Sequence, residues 1–265
     1  MQIDINSDMG EGFGLYRVGD DEALIDVVSS ANIACGFHAG DPVIMGRTVE
    51  MAKERGVSIG AHPGLPDLMG FGRRVIQMDS AELERHLIYQ VGALQGIAVA
   101  AGHRVSHVSY HAALGNMALA DRSIADLLSR AIACLDRDLI IYSMPDTEVE
   151  RSAERAGLRT LTLFLADRAY DEHGGLVPRK VPNSVITSPQ TVAARVRQFL
   201  DDGTVTSIEG KRLKVRARSI LVHSDTPGSV ELARTIRRVV EAGGDVVTPA
   251  NEFLGLGTSP QTVAA

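Results

Sequence analysis

At 265 residues, with 45% hydrophobic content and a formal charge of -6, the chain can bury a large core, and its acidic balance argues against nucleic acid or an anionic membrane as the main partner. Its two cysteines, Cys35 and Cys134, make neither a disulfide framework nor a thiolate metal site, so both are expected as buried free thiols in a reducing compartment. The opening residues lack the basic start and apolar centre of a signal peptide, and no apolar run approaches the ~20 residues that cross a bilayer, which predicts a cytoplasmic protein whose partner is a small molecule or another protein.

Short β-rich runs alternate with longer helical patterns up to Val247, which implies βα units around a parallel sheet. Strands are expected at residues 3–6, 32–37, 57–61, 106–110, 139–143, 160–165, 219–222 and 245–247. Seven or eight mostly parallel strands in an α/β chain of this length predict a (β/α) barrel, read as one domain over residues 1–265. Asp41-Pro42 opens a helix that Gly56 closes, and Asp79 with Glu82 precedes a long helix ended by Gly102. Ser188-Pro189 and Thr226-Pro227 repeat the cap-plus-proline start. Residues 171–217 read as an insertion: a loop, a helix, and a hairpin of 204–208 with 213–216 turning at Glu209-Gly210. The heptapeptide at 188–194 recurs unchanged at 259–265, with no period that would make a solenoid.

The carboxyl ends of these strands carry Asp8 with Glu11, then His38, His62, His111, Asp167 with Arg168, and His223 with Asp225. In a parallel barrel they converge on the one face where barrel active sites lie. A single histidine there is more often a core residue satisfied by a carbonyl, but four at equivalent strand ends point to ligand binding or proton transfer. A metal would have to draw its ligands from several loops, because no His-x-x-x-His pair is present. Gly10-Glu11-Gly12-Phe13-Gly14 lacks the lysine and hydroxyl residue of a Walker sequence. The proline- and glycine-rich loop from Ala61 to Arg74 is expected to face substrate, with Arg73 rather than Arg74 meeting a carboxylate or phosphate.

The runs 4–14, 31–41, 59–63, 67–74, 89–94 and 166–170 resemble, in order and over nearly the whole chain, the signatures of the LamB/YcsF family, the A-type subunits of prokaryotic 5-oxoprolinase. The resemblance implies a distorted barrel of the glycoside hydrolase and deacetylase group. It also implies ATP-dependent opening of 5-oxo-L-proline to L-glutamate together with B- and C-type subunits. Under that reading His62 or His111 is the general base, and Asp8 or Glu11 orients it or holds a divalent cation such as Mg2+. Arg73 would bind the substrate carboxylate, with His38, His223, Asp225, Asp167 and Arg168 completing the face. The chain departs from the family pattern His-Val-Lys-Pro-His-Gly-Ala-Leu-Tyr-Asn at residues 107–116, where Ser109 replaces the lysine and Gly115 the tyrosine; Ser224 stands in place of a glycine. Two other readings are a stand-alone metal-dependent hydrolase or deacetylase with Asp8, His38 and His62 as ligands, and a non-catalytic lactam-binding protein.

Overall fold

The computed structural model describes residues 1–253 and Gly255. In the first strand, β1 (Gln2–Met9), the alternation Ile-Asp-Ile-Asn-Ser-Asp puts successive side chains on opposite faces and residues two apart on the same one. Asp4, Asn6 and Asp8 bond to side chains of other strands, while Ile3, Ile5 and Met9 join the apolar core. The chain then runs through α1 (Asp21–Ile25), β2 (Ser30–Ala34), α2 (Pro42–Glu54), β3 (Ser58–His62), α3 (Ser80–Ala100) and β4 (Val105–Ser109). Next come α4 (Ala112–Ala120), α5 (Arg122–Leu135), β5 (Ile140–Ser143), α6 (Glu148–Arg155), β6 (Arg159–Leu165) and α7 (Pro189–Asp202). The hairpin β7 (Thr204–Thr206) and β8 (Arg212–Lys214), β9 (Ser219–Val222), α8 (Ser229–Ala242), β10 (Val246–Val247) and α9 (Ala250–Phe253) complete it.

Strands β1, β2, β3, β4, β5, β6 and β9 pair in that order, all parallel, and β9 closes back onto β1 to give a seven-stranded barrel. The short β10 pairs with β1 at Gln2 and Ile3, immediately before the register of β9 begins at Asp4. The α/β barrel expected from the alternation is therefore present, with the eighth parallel strand lying outside the ring. No helix among the described residues is long and apolar enough to cross a membrane.

The barrel interior is polar and layered. At its base the buried Asp4 accepts from Ser29 (2.7 Å), Ser30 (2.6 Å), Ser219 (2.5 Å) and Tyr142 (3.0 Å). Burial raises the Asp4 carboxyl above its ordinary range, against the pull of those four hydroxyls. One layer up, Asn32 donates to Asn6 Oδ1 (2.8 Å), and its own Oδ1 accepts from His107 Nε2 (2.9 Å). Gly60 is required here because a Cβ would collide with the His107 ring. The top layer is Asp8 and His62.

Three local expectations change. The cap-plus-proline start holds at Asp41 and Ser188, which accept from helix N–H groups. Thr226 is not a cap: α8 starts at Ser229 behind Gly228, because the Thr226 hydroxyl donates instead to Asp167 Oδ2 (2.6 Å). Strand β2 ends at Ala34, three residues early, since Gly36 turns out of the sheet with φ 93°. Cys134 is exposed while Cys35 is buried, as the phase of α5 turns residue 134 away from the core. The second copy of the heptapeptide, 259–265, falls outside the described residues.

Candidate functional site

Each histidine reaches the face through a distinct device. His62 is the last residue of β3, and His111 is the residue from which α4 starts, though its ring makes no cap hydrogen bond. His38 follows the turn out of β2 and is locked by Asp41, whose Oδ1 caps α2 at Val43 and Ile44 (both 2.9 Å) while Oδ2 takes Gly14 N–H (2.9 Å). That last bond ties the His38 loop to the loop carrying Glu11. Gly64 and Gly72 pack against His38, where a Cβ would lie 2.6 Å from its Nδ1 and its Cβ respectively.

Glu11, His38, His62 and His111 are all buried, and one ligand atom from each lies within 4.8 Å of all the others. Glu11 Oε1 is 3.4 Å from His38 Nε2, 3.5 Å from His111 Nδ1 and 4.0 Å from His62 Nε2. The His38 and His111 rings stack at 3.7 Å between centroids. Glu11 Oε2 accepts from Ser224 (3.0 Å), whereas Oε1 and both His38 nitrogens have no hydrogen-bond partner among the described residues. Burial, with the Asp8 and Asp225 charges, pushes the Glu11 carboxyl well up. Burial also pushes His38, His62 and His111 below the usual histidine range, which favours their neutral form. Such a group of lone pairs could hold a divalent cation. The set expected for that role was Asp8, His38 and His62; the four that meet include Glu11 and His111, while Asp8 stands beside them, 3.4 Å from His62 Nε2 and held by Asn32 Nδ2 at 3.0 Å.

The opposite wall is a charged relay. His223 Nδ1 meets Asp167 Oδ1 at 2.9 Å, and its backbone N–H reaches the same carboxylate at 3.1 Å. Burial would lift Asp167, but the His223 charge and the His223 and Thr226 hydrogen bonds outweigh it and hold the carboxyl low. Burial likewise opposes protonation of His223, and Asp167 overcomes it, raising the imidazole. The His223 side chain keeps 16% exposure while Asp167 has none, so Asp167 touches the face only through the ring it holds. Asp225 is bracketed by Arg73 (2.5 Å) and Arg179 (3.4 Å), and burial of its carboxyl is outweighed by those guanidinium groups, which lower it. Arg73 is 37% exposed and lies 5.0 Å over the Phe71 ring. Arg168 is turned away, donating to the Val177 and Ser184 carbonyls, and Arg74 pairs with Asp67.

Of the residues read from the strand ends, Asp8, Glu11, His38, His62 and His111 come together, His223 and Arg73 line the same mouth through Asp167 and Asp225, and Arg168 braces a loop. Asn32, His107, Ser224 and Arg179, and the Ser109 and Phe71 carbonyls, were not anticipated as site partners. The polar phase of β1 and β2 carried a signal for Asn32; the carbonyls carry none, because every residue has one.

The model of the LamB/YcsF family matches residues 3–255. The chain belongs to the LamB/YcsF family. It is 68% identical over 254 residues to a 5-oxoprolinase A-type subunit of Bradyrhizobium diazoefficiens, covering 96% of this chain and 100% of that one. It is 59% identical to the 5-oxoprolinase A-type subunit of Pectobacterium atrosepticum, over 96% and 99% of the two chains. The crystal structure of the lactam utilization protein from Thermus thermophilus superposes with a TM-score of 0.89 at 39% identity, over 94% of this chain and 99% of that one. For this LamB/YcsF chain, the site residues just described lie within the matched residues 3–255.

Proposed function

We propose that the chain is the A-type component of an ATP-dependent 5-oxoprolinase, opening 5-oxo-L-proline to L-glutamate with B- and C-type partner subunits. The observation that carries the reading is the 68% identity, over 96% of the chain, to a 5-oxoprolinase component of the same type.

The site chemistry supports it. A lactam carbonyl is a poor electrophile, and transfer of a phosphoryl group from ATP to its oxygen makes that oxygen a leaving group. Water then adds to the carbonyl carbon, the ring C–N bond breaks as the nitrogen takes a proton, and a second water cleaves the resulting acyl phosphate to glutamate and inorganic phosphate. Asp8, beside the cluster at 3.4 Å from His62 Nε2, supplies the base for the water proton. His223, which Asp167 keeps inclined to protonation and partly exposed, returns a proton to the departing nitrogen. Arg73, at the mouth and paired with a carboxylate already, binds the substrate carboxylate while Arg179 retains Asp225. A divalent cation on the buried cluster would supply Lewis-acid polarisation of water or carbonyl.

The test is ATP-dependent glutamate release by the chain mixed with its B- and C-type partners. His62→Ala, Asp8→Ala and His223→Ala are each expected to slow release by about 100-fold or more. Wild-type rates in all three would overturn the assignment of roles. Lactam opening without ATP or partners would favour the stand-alone hydrolase instead.

A further inference from the structure

We propose that Glu11, His38, His62 and His111 form a mononuclear site for a borderline transition metal of the Zn2+, Fe2+ or Co2+ class, with Asp8 outside the ligand set. The inference rests on the geometry of the cluster and is independent of which lactam, if any, the chain opens.

The two backbone carbonyls decide it. His62 Nδ1 lies 2.6 Å from Ser109 O, and a carbonyl only accepts, so the proton of the neutral ring is on Nδ1 and the lone pair on Nε2. His111 Nε2 lies 2.8 Å from Phe71 O, which by the same logic leaves the His111 lone pair on Nδ1. Those two bare nitrogens, His62 Nε2 and His111 Nδ1, face each other at 2.9 Å. The N–H of each ring being directed at its carbonyl, the two facing nitrogens are free to bind one cation between them. Glu11 Oε1 and His38 Nε2, 3.4 Å apart, lie beside them and are buried without a hydrogen-bond partner among the described residues, so both are available as ligand atoms.

A cation at that point takes these four atoms as ligands. For bond lengths of about 2.0–2.1 Å, tetrahedral ligand atoms stand roughly 3.3 Å apart. The separations 2.9, 3.4, 3.5 and 4.0 Å straddle that value. Metal-bound imidazoles characteristically donate their other N–H to a carbonyl, which is what His62 and His111 do. Ser224 holds the second oxygen of Glu11 in the same supporting way. Three imidazoles with one carboxylate suit borderline metals, whereas Mg2+ prefers oxygen ligands and keeps several waters. The donor type therefore favours these metals over the Mg2+ named as an example of a divalent cation from the sequence. The competing occupant is a proton shared by His62 and His111.

The experiment uses the full chain, stripped with a chelator and titrated with Co2+ and with Zn2+, reading metal per chain by mass spectrometry and the visible Co2+ bands. About one equivalent is expected in the wild type and in His173→Ala, an exposed control, with binding weakened about tenfold or more in Glu11→Gln and His38→Ala. Excess Mg2+ should leave the Co2+ spectrum unchanged. Circular dichroism reports whether each variant folds; should the two ligand variants fail to fold, the wild-type Co2+ spectrum and the 15N shifts of its histidines on Zn2+ addition decide the matter alone. A folded wild type that takes up no stoichiometric Co2+ or Zn2+ overturns the proposal. Undiminished binding in Glu11→Gln and His38→Ala places the metal elsewhere and also overturns it.

Discussion

The Asp167–His223 pair links residue chemistry to pH. His223 is raised in the fold, so its contribution to stability is complete below the unfolded histidine value and disappears as pH rises through the folded one. Asp167 is lowered, so its contribution is present above the unfolded carboxyl value and disappears as pH falls. The stability lost in His223→Ala should therefore be largest between about pH 4 and 6.5 and shrink on either side. Denaturant titrations of both proteins across that range check this, and a constant difference from acid to alkaline pH would contradict it. Arg73→Ala should raise KM for the lactam about 10- to 100-fold with little change in kcat, since it removes a charge-assisted bond while Asp225 keeps Arg179. At residue 112 the backbone has φ 35°, where an alanine is strained. Ala112→Gly should raise stability by about 1 kcal/mol, readable from the denaturation midpoint. The family pattern has glycine at this position, so that departure was visible in the sequence; its cost was not, because φ is a property of the folded chain.

Among the elements, the strand-to-helix junctions determine the site. Asp41→Ala removes both the cap of α2 and the tether to Gly14, so it should cost about 1–2 kcal/mol and loosen the loop that carries Glu11, seen as faster hydrogen exchange at residues 11–14. Gly64→Ala would force a Cβ against the His38 ring; a loss of roughly 1–3 kcal/mol is expected, and retention of wild-type stability would show that the loop yields. The strands and the capped helices were legible because alternation, proline and glycine leave local marks. The convergence of Asp8, His38, His62 and His111 was legible once the strands were counted, since a parallel barrel puts every carboxyl end on one face. Thr226 misled because a threonine before a proline marks a helix start, and only the fold brings Asp167 within reach of its hydroxyl. Glu11 in place of Asp8 in the histidine cluster depends on a turn at Gly10, φ 66°, that spacing alone does not reveal.

On the scale of the whole molecule, the ring closes through residues far apart in the chain. Asp4 and Ser219 are separated by 215 positions and hydrogen-bonded at 2.5 Å, and Asn6 donates to the same hydroxyl at 2.6 Å. Ribosomes add about 5–20 residues per second, so β1 would wait on the order of 10–40 s for β9 to be synthesised. During that interval one side of β1 has no strand beside it, and its buried carboxylate lacks one of its four hydroxyl donors. Barrel closure is therefore a late event in the birth of the chain, and the open sheet is the form most exposed to aggregation and to chaperones.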